Sequence, residues 1–247
     1  MVIIAIFFAF VLAGCTDKSP NNMNRNAFLI RVEQDAIFVD NKKIANAADI
    51  AKQDSLAVEA LRKALESKKD TSKKCQIKID SEQSYKVLYK TASACKLAGY
   101  TDVGLTSKIN EEDYAQSFSL ERLQDSLEKL RNAPKGPPPD PGPGSLSLHV
   151  VINENYFQIF ALGGSLPKIF HNENLDSAYS ELESLLIAIH NRFRDESPDA
   201  DVGCIKDSGN IKISNVIPVM QRLKTAGFTE IDLSICNPDD FFDDVCE

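Results

Sequence analysis

Lys96-Leu-Ala-Gly-Tyr-Thr-Asp-Val-Gly-Leu-Thr-Ser107 returns 128 positions later as Lys224-Thr-Ala-Gly-Phe-Thr-Glu-Ile-Asp-Leu-Ser-Ile235. Lys, Ala, Gly, Thr and Leu coincide, and Tyr/Phe, Asp/Glu, Val/Ile and Thr/Ser are like for like. The same offset carries the preceding segment. Tyr85, Leu88, Tyr89, Ala92 and Cys95 form a helical stripe that Ile213, Val216, Ile217, Met220 and Leu223 repeat. A stripe, a glycine stop and a strand kept in one register mark an internal duplication.

Working outward, each copy opens on a hairpin pattern. Phe28–Val32 and Ala36–Val39 flank Glu33-Gln34-Asp35, and Leu148–Ile152 and Tyr156–Phe160 flank Asn153-Glu154-Asn155. Polar turn residues between β-rich runs are the expected hairpin signal. An amphipathic helix follows, carrying Ala57, Val58, Leu61, Ala64 and Leu65 in the first copy and Ala178, Leu182, Leu185, Leu186, Ile189 and Phe193 in the second. Then come a short strand (Cys75–Ile79; Gly203–Lys206), the second helix, its Gly99 or Gly227 cap, and a last strand. The fold class is α+β: two tandem ββαβαβ domains, each a small mixed sheet with two helices on one face. Pro218 is expected near the first turn of its helix, where proline is tolerated.

The domains are expected at 27–108 and 148–236. Between them, 133–147 is rich in proline and glycine and reads as an extended linker of about 3 Å per residue. Leu120, Leu123, Leu127 and Leu130 predict an extra helix within 109–132. Residues 237–247 form an acidic tail.

The N-terminus is apolar from Met1 to Gly14 and then reads Cys15-Thr16-Asp17-Lys18. Fourteen apolar residues fall short of the roughly twenty that cross a bilayer. The Leu12-Ala13-Gly14-Cys15 stretch resembles a bacterial lipoprotein signal, which makes residues 1–14 a signal peptide, 15–26 a tether and Cys15 the lipid-bearing residue. This implies attachment to the cell envelope through lipid, facing the periplasm, with Thr16 leaning towards the outer membrane.

At 247 residues, 43% hydrophobic and 26% charged, the chain is ordinary globular material. Its net charge of -8 argues against nucleic acid, which needs a basic surface. Six cysteines occur without a Cys-x-x-Cys pair, against the common zinc spacings. In an oxidising compartment disulfides are favoured. The helix bearing Cys95 returns along the strand that Cys75 opens, making those two one candidate pair; Cys236 and Cys246, bracketing the tail, are the other.

The order of elements also resembles the periplasmic domain of the ExbD/TolR biopolymer-transport family. Ile77-Lys78-Ile79-Asp80 with Tyr85, Leu88 and Ala98-Gly99 follows that family's strand ending in Asp, Tyr five positions on, and helix closing on Ala-Gly. The second copy departs: Ile205-Lys206-Asp207 has one more loop residue, and Ile213 stands where Tyr would be. The resemblance implies a periplasmic domain that pairs with itself and meets motor or cell-wall partners. It also implies a proton-bearing Asp in a membrane helix, yet the apolar segment here has no acid.

Against these stand weak chemical signals. His149, His171 and His190 have no second ligand at helical or hairpin spacing, and no metal site is expected. No Gly-x-Ser-x-Gly elbow occurs, and no catalytic residue or cofactor is assigned. Asp80 and Asp207, expected at strand ends, are read as loop caps or partner contacts, with Tyr85 beside them. The expected function is a lipid-anchored, non-enzymatic periplasmic adaptor for a biopolymer-transport or motility motor or the cell wall. Its two domains would form an internal pseudo-dimer. The competing expectation is a solute-binding lipoprotein with its site between the domains.

Overall fold

The computed structural model describes residues 28–52, 55–68, 73–109, 112–120, 123, 146–161, 164–171, 174–207 and 211–235. Cys15, Cys236 and Cys246, linker residues 133–145 and the tail therefore lie outside the described residues.

In the first half β1 (Phe28–Val32) and β2 (Ala36–Val39) form the expected hairpin, with Ile30 opposite Val39 and Val32 opposite Ile37. Their alternate residues Ile30, Val32, Ile37 and Val39 are buried, as the period of two requires. The chain continues through β3 (Lys42–Asn46), α1 (Ala47–Ala51), α2 (Ser55–Glu66), β4 (Lys74–Ile79), α3 (Tyr85–Leu97), β5 (Asp102–Ile109) and β6 (Glu112–Ser119). The sheet order is β3-β2-β1-β4-β5-β6, with β1, β4 and β5 parallel and the flanking strands antiparallel. The strand order β1-β4-β5 moves one way along the sheet, and α2 and α3 pack against each other, as successive crossovers of one hand require.

The second half follows suit: β7 (His149–Ile152), β8 (Tyr156–Ala161), β9 (Gly164–Ser165), β10 (Ile169–Phe170), α4 (Leu175–Phe193), β11 (Val202–Asp207), α5 (Ile213–Thr225) and β12 (Glu230–Ile235). Its sheet runs β10-β8-β7-β11-β12, with β9 also on β8. The molecule is thus mixed α and β, with two six-stranded mixed sheets and five helices among the described residues.

The offset of 128 persists in the element boundaries: β4, α3 and β5 begin 128 positions before β11, α5 and β12. Both second helices end in the same Schellman cap. Tyr100 N–H reaches Cys95 O and Gly99 N–H reaches Lys96 O; Phe228 and Gly227 do the same to Leu223 and Lys224. Gly99 and Gly227 have φ of 91° and 106°, the left-handed backbone this cap needs.

The structure departs from expectation in four places. The segment after β5 is a strand, not the start of a helix: β6 buries Tyr114, Gln116 and Phe118 and exposes the residues between, an alternation that pairs with β5 along its whole length. Leu120 and Leu123 are buried behind it, while Leu127 and Leu130 lie outside the described residues. β3 is an added edge strand whose lysines face outward, a pattern that discourages edge-to-edge pairing. α1 is an extra turn of helix. Pro218 is the sixth residue of α5 rather than in its first turn, so that helix forgoes one interior hydrogen bond.

The two halves do not stand apart. Their buried side chains form one continuous apolar cluster, from Ile30 and Ile77 to Ile205 and Leu233. α3 and β6 of the first half pack against β12 of the second.

Candidate functional site

The closest meeting of the halves is at the N-termini of α3 and α5. Neither helix has a side-chain N-cap: Ser84 and Lys212 stand at those positions without a capping hydrogen bond. Each helix is capped by the other half. Tyr85 N–H donates to Ile211 O at 2.7 Å, and Ile213 N–H donates to Gln83 O at 2.8 Å. Adding 128 to the first donor and subtracting it from the first acceptor gives the second bond, so the pair maps onto itself under the repeat. Ser84 and Lys212, equivalent in the two copies, face each other in an antiparallel bridge on that relation.

Two helix N-termini facing each other bring together partial positive charge, and Lys212 adds a full one. The Lys212 ammonium meets Glu82 at 2.7 Å across the seam. Both are more than half exposed, so the pair contributes little to stability, about 0–1 kcal/mol. Its effect is to remove a local repulsion.

Tyr85 is fully buried. Its hydroxyl donates to Ile205 O at 3.1 Å and accepts from Ser234 N–H at 2.9 Å, so one phenol of the first half bridges β11 and β12 of the second. Gln83, also buried, donates its amide to Glu33 O and Gln34 O and thereby fastens the β1–β2 turn to the seam. In the second half that fastening has another source: His171 Nε2 lies 3.2 Å from Asn153 O, and His171 N–H donates to Asn155 O.

Asp80 lies just past β4; its carboxylate accepts from Glu82 N–H at 2.9 Å and caps the loop that leads to α3. Asp207 is not its counterpart in space. It is the last residue of β11, opposite Ile152, as Ile79 is opposite Val32, one position before Asp80. The structure therefore brings Asp80 and Tyr85 to the seam and leaves Asp207 within the sheet.

Cys75 and Cys95 are buried free thiols. The Cys75 thiol donates to Asp102 O at 3.9 Å; burial raises the Cys95 pKa well above the usual thiol value, and the neighbouring Cys75 thiol adds to it. No disulfide joins them. The equivalent positions in the second half are Gly203 and Leu223, and a Cβ on Gly203 would lie 2.7 Å from the Leu223 side chain. The same close strand–helix approach is filled by two medium side chains in one copy and by none plus one large in the other. Cys204 is a separate buried thiol whose pKa burial pushes up to about 12.

Gln83, Glu82 and Lys212 were not singled out by the sequence. Gln83 carried no clear signal, because Ser84 stands between it and α3 and reads from sequence as an ordinary N-cap.

Two open clefts flank the start of β6. One, of about 490 Å³, lies between the halves; Tyr114 of β6 faces Tyr179 of α4 and Pro218 and Arg222 of α5. Arg222 is ion-paired to Glu183 at 2.8 Å, and burial pushes the Tyr179 pKa up to about 12. The other, of about 580 Å³, lies at the carboxyl ends of β1, β4 and β5. Among the described residues no group of three or more His, Cys, Asp or Glu is placed to hold a metal ion, and no helix is long and apolar enough to cross a membrane.

Compared with known proteins, residues 14–110 match the family described as biopolymer transport protein ExbD/TolR. The match takes in β1 to β5, including Asp80, Tyr85 and the Gly99 cap, so the first half contains one ExbD/TolR-like domain. No curated protein and no solved structure matches the chain.

Proposed function

We propose that this chain is a lipid-anchored, non-enzymatic envelope adaptor whose halves form an internal pseudo-dimer, serving a biopolymer-transport or motility motor or the cell wall. The observation that carries the reading is the reciprocal capping at the seam, on a first half that matches the ExbD/TolR family. A homodimer of such a domain needs an isologous interface, in which residue i meets j and j meets i. Tyr85–Ile211 and Ile213–Gln83 have that form within one chain. The anchor would be Cys15, and two or more acyl chains hold a soluble body firmly at a membrane.

The test is in-cell photo-crosslinking from exposed positions of both halves of the tagged chain, with labelled fatty acid supplied. The expected result is acylation at Cys15 and recovery of an envelope protein or a wall fragment. Absence of label, or recovery of neither, defeats the reading.

One observation favours the solute-binding alternative, namely the cleft between the halves, whose volume falls in the range of small-molecule sites. A low-molecular-mass compound co-purifying with the chain, and lost on Tyr179→Ala, would select it.

A further inference from the structure

The two sheets differ on the face that their helices leave bare. In the second sheet Phe157 stacks on Tyr179 of α4 at 5.2 Å, and Gly203 lies against Leu223 of α5. The alternate residues therefore point away from both helices. By the strand pairing these are Gln158 and Phe160 on β8, His149 and Val151 on β7, and Cys204 and Lys206 on β11.

That bare face is closed. Val151 is 2% exposed, and Gln158, Phe160 and Cys204 are each 8% exposed. Val151 and Phe160 form an apolar pair apart from the continuous core, to which the helices and the first half contribute. The first sheet has no such closure. Leu29 on its bare face is 40% exposed, and Lys78, the equivalent of Lys206, is exposed. The closure in the second sheet also has a boundary. Phe170 on β10, opposite Tyr156 on the same face, is 66% exposed. The cover thus reaches β8 from the β12 side and stops short of β10. Beneath it, Gln158 Oε1 is buried without a hydrogen-bond partner, an acceptor open to a donor lying over the sheet.

Residues 236–247 start on that side, directly after Ile235 of β12. Asn237-Pro238 is a turn-starting pair, placed to fold the chain back over the sheet. Strands lie about 4.8 Å apart, so β11, β7 and β8 are about 5, 10 and 14 Å from β12. Counted from Pro238 at about 3.3–3.6 Å per residue, Asp239-Asp240 passes over β11 and Phe241-Phe242 arrives over β7 and β8. The order suits what lies there: two carboxylates over Lys206, then two rings over Val151 and Phe160.

We propose that residues 236–247 form a strap across the bare face of the second sheet, with Phe241-Phe242 on Val151 and Phe160 and a backbone N–H donating to Gln158 Oε1. The strap withdraws that face from partners and leaves the equivalent face of the first half open. It holds whether or not the chain is an envelope adaptor.

The experiment follows thiol alkylation of the reduced, native full chain by peptide mass mapping. Cys204 reports on the covered face, and the buried Cys75 and Cys95 report on the fold. The unaltered chain is compared with a chain ending at Ile235 and with the Phe241→Asp, Phe242→Asp double variant. Cys204 is expected to react about tenfold or more faster in both altered chains, with Cys75 and Cys95 unchanged. Where truncation also opens Cys75 and Cys95, the double variant alone decides. Equal Cys204 rates in the unaltered and double-variant chains overturn the proposal. So do acceleration of all three thiols together in the double variant, and a Cys204 that already reacts in the unaltered chain as fast as an unfolded thiol.

Discussion

At the scale of single residues, Tyr85 holds the most leverage, because its hydroxyl satisfies two buried backbone groups of the other half. Tyr85→Phe keeps the ring and leaves Ile205 O and Ser234 N–H without that partner. The expected loss is about 1–3 kcal/mol, read as a lower denaturant midpoint with unchanged m. Hydrogen exchange should accelerate first at Ser234; unchanged protection there would show that the phenol does not hold the strands.

The thiols give two more expectations. Cys75 and Cys95 lie in contact, so oxidation in an exported protein should join them, closing a loop of about twenty residues worth roughly 3 kcal/mol in the chain-entropy model. Non-reducing peptide mapping of envelope-purified protein checks this, and two free thiols there would refute it. For Cys204 the folded pKa is raised from 9.0 to about 12. Such a group favours folding fully below its unfolded pKa, and the contribution is lost as pH rises from about 9 towards 12. Cys204→Ala should flatten the alkaline limb of stability against pH; an identical limb in both proteins would rule the thiol out as its cause.

At the scale of elements, the two Schellman caps offer a matched comparison. A Cβ at Gly99 meets nothing within 4 Å, so Gly99→Ala bears only the left-handed backbone, about 1 kcal/mol. At Gly227 the same Cβ lies 2.6 Å from the His190 ring, which is held against Phe228 and paired with Asp201. Gly227→Ala should therefore cost about 2–3 kcal/mol, strain and overpacking together. Equal melting-temperature shifts for the two would disprove the role given to His190.

These elements also show what the sequence made legible. Where one element carries both a stripe and a stop, as 85–99 and 213–227 do, period and glycine agree and the boundaries follow. β6 was hidden because Leu120, Leu123, Leu127 and Leu130 lend its end a helical period, while Gln116 breaks the apolar alternation at a buried position. β3, mostly polar at the sheet edge, has too little to bury to leave a pattern. The seam was illegible for a different reason. Its main bonds run through backbone groups, which carry no sequence signal, and the side chains that mark it are Tyr85, Gln83 and the exposed Glu82–Lys212 pair.

At the scale of the molecule, the shared core predicts how the halves behave once cut. A protease acting within the proline-rich 133–147 stretch should yield two fragments that stay together, because the apolar cluster and reciprocal caps remain buried between them. On a sizing column the nicked protein should elute with the intact one and separate only in denaturant. Fragments that part under native conditions would contradict a common core.

Tethering the halves has a consequence for the seam at α3 and α5. Between free subunits, closing such an interface depends on how much protein the cell makes; within one chain the local concentration is set by the connector and does not dilute. In a symmetric pair every substitution also appears twice. Here it appears once, so positions 128 apart are free to differ, as Cys75 and Cys95 differ from Gly203 and Leu223. On the pseudo-dimer reading, one half would be free to keep its contacts while the other changes its surface, so that a single molecule would present two different faces at a fixed stoichiometry of one to one.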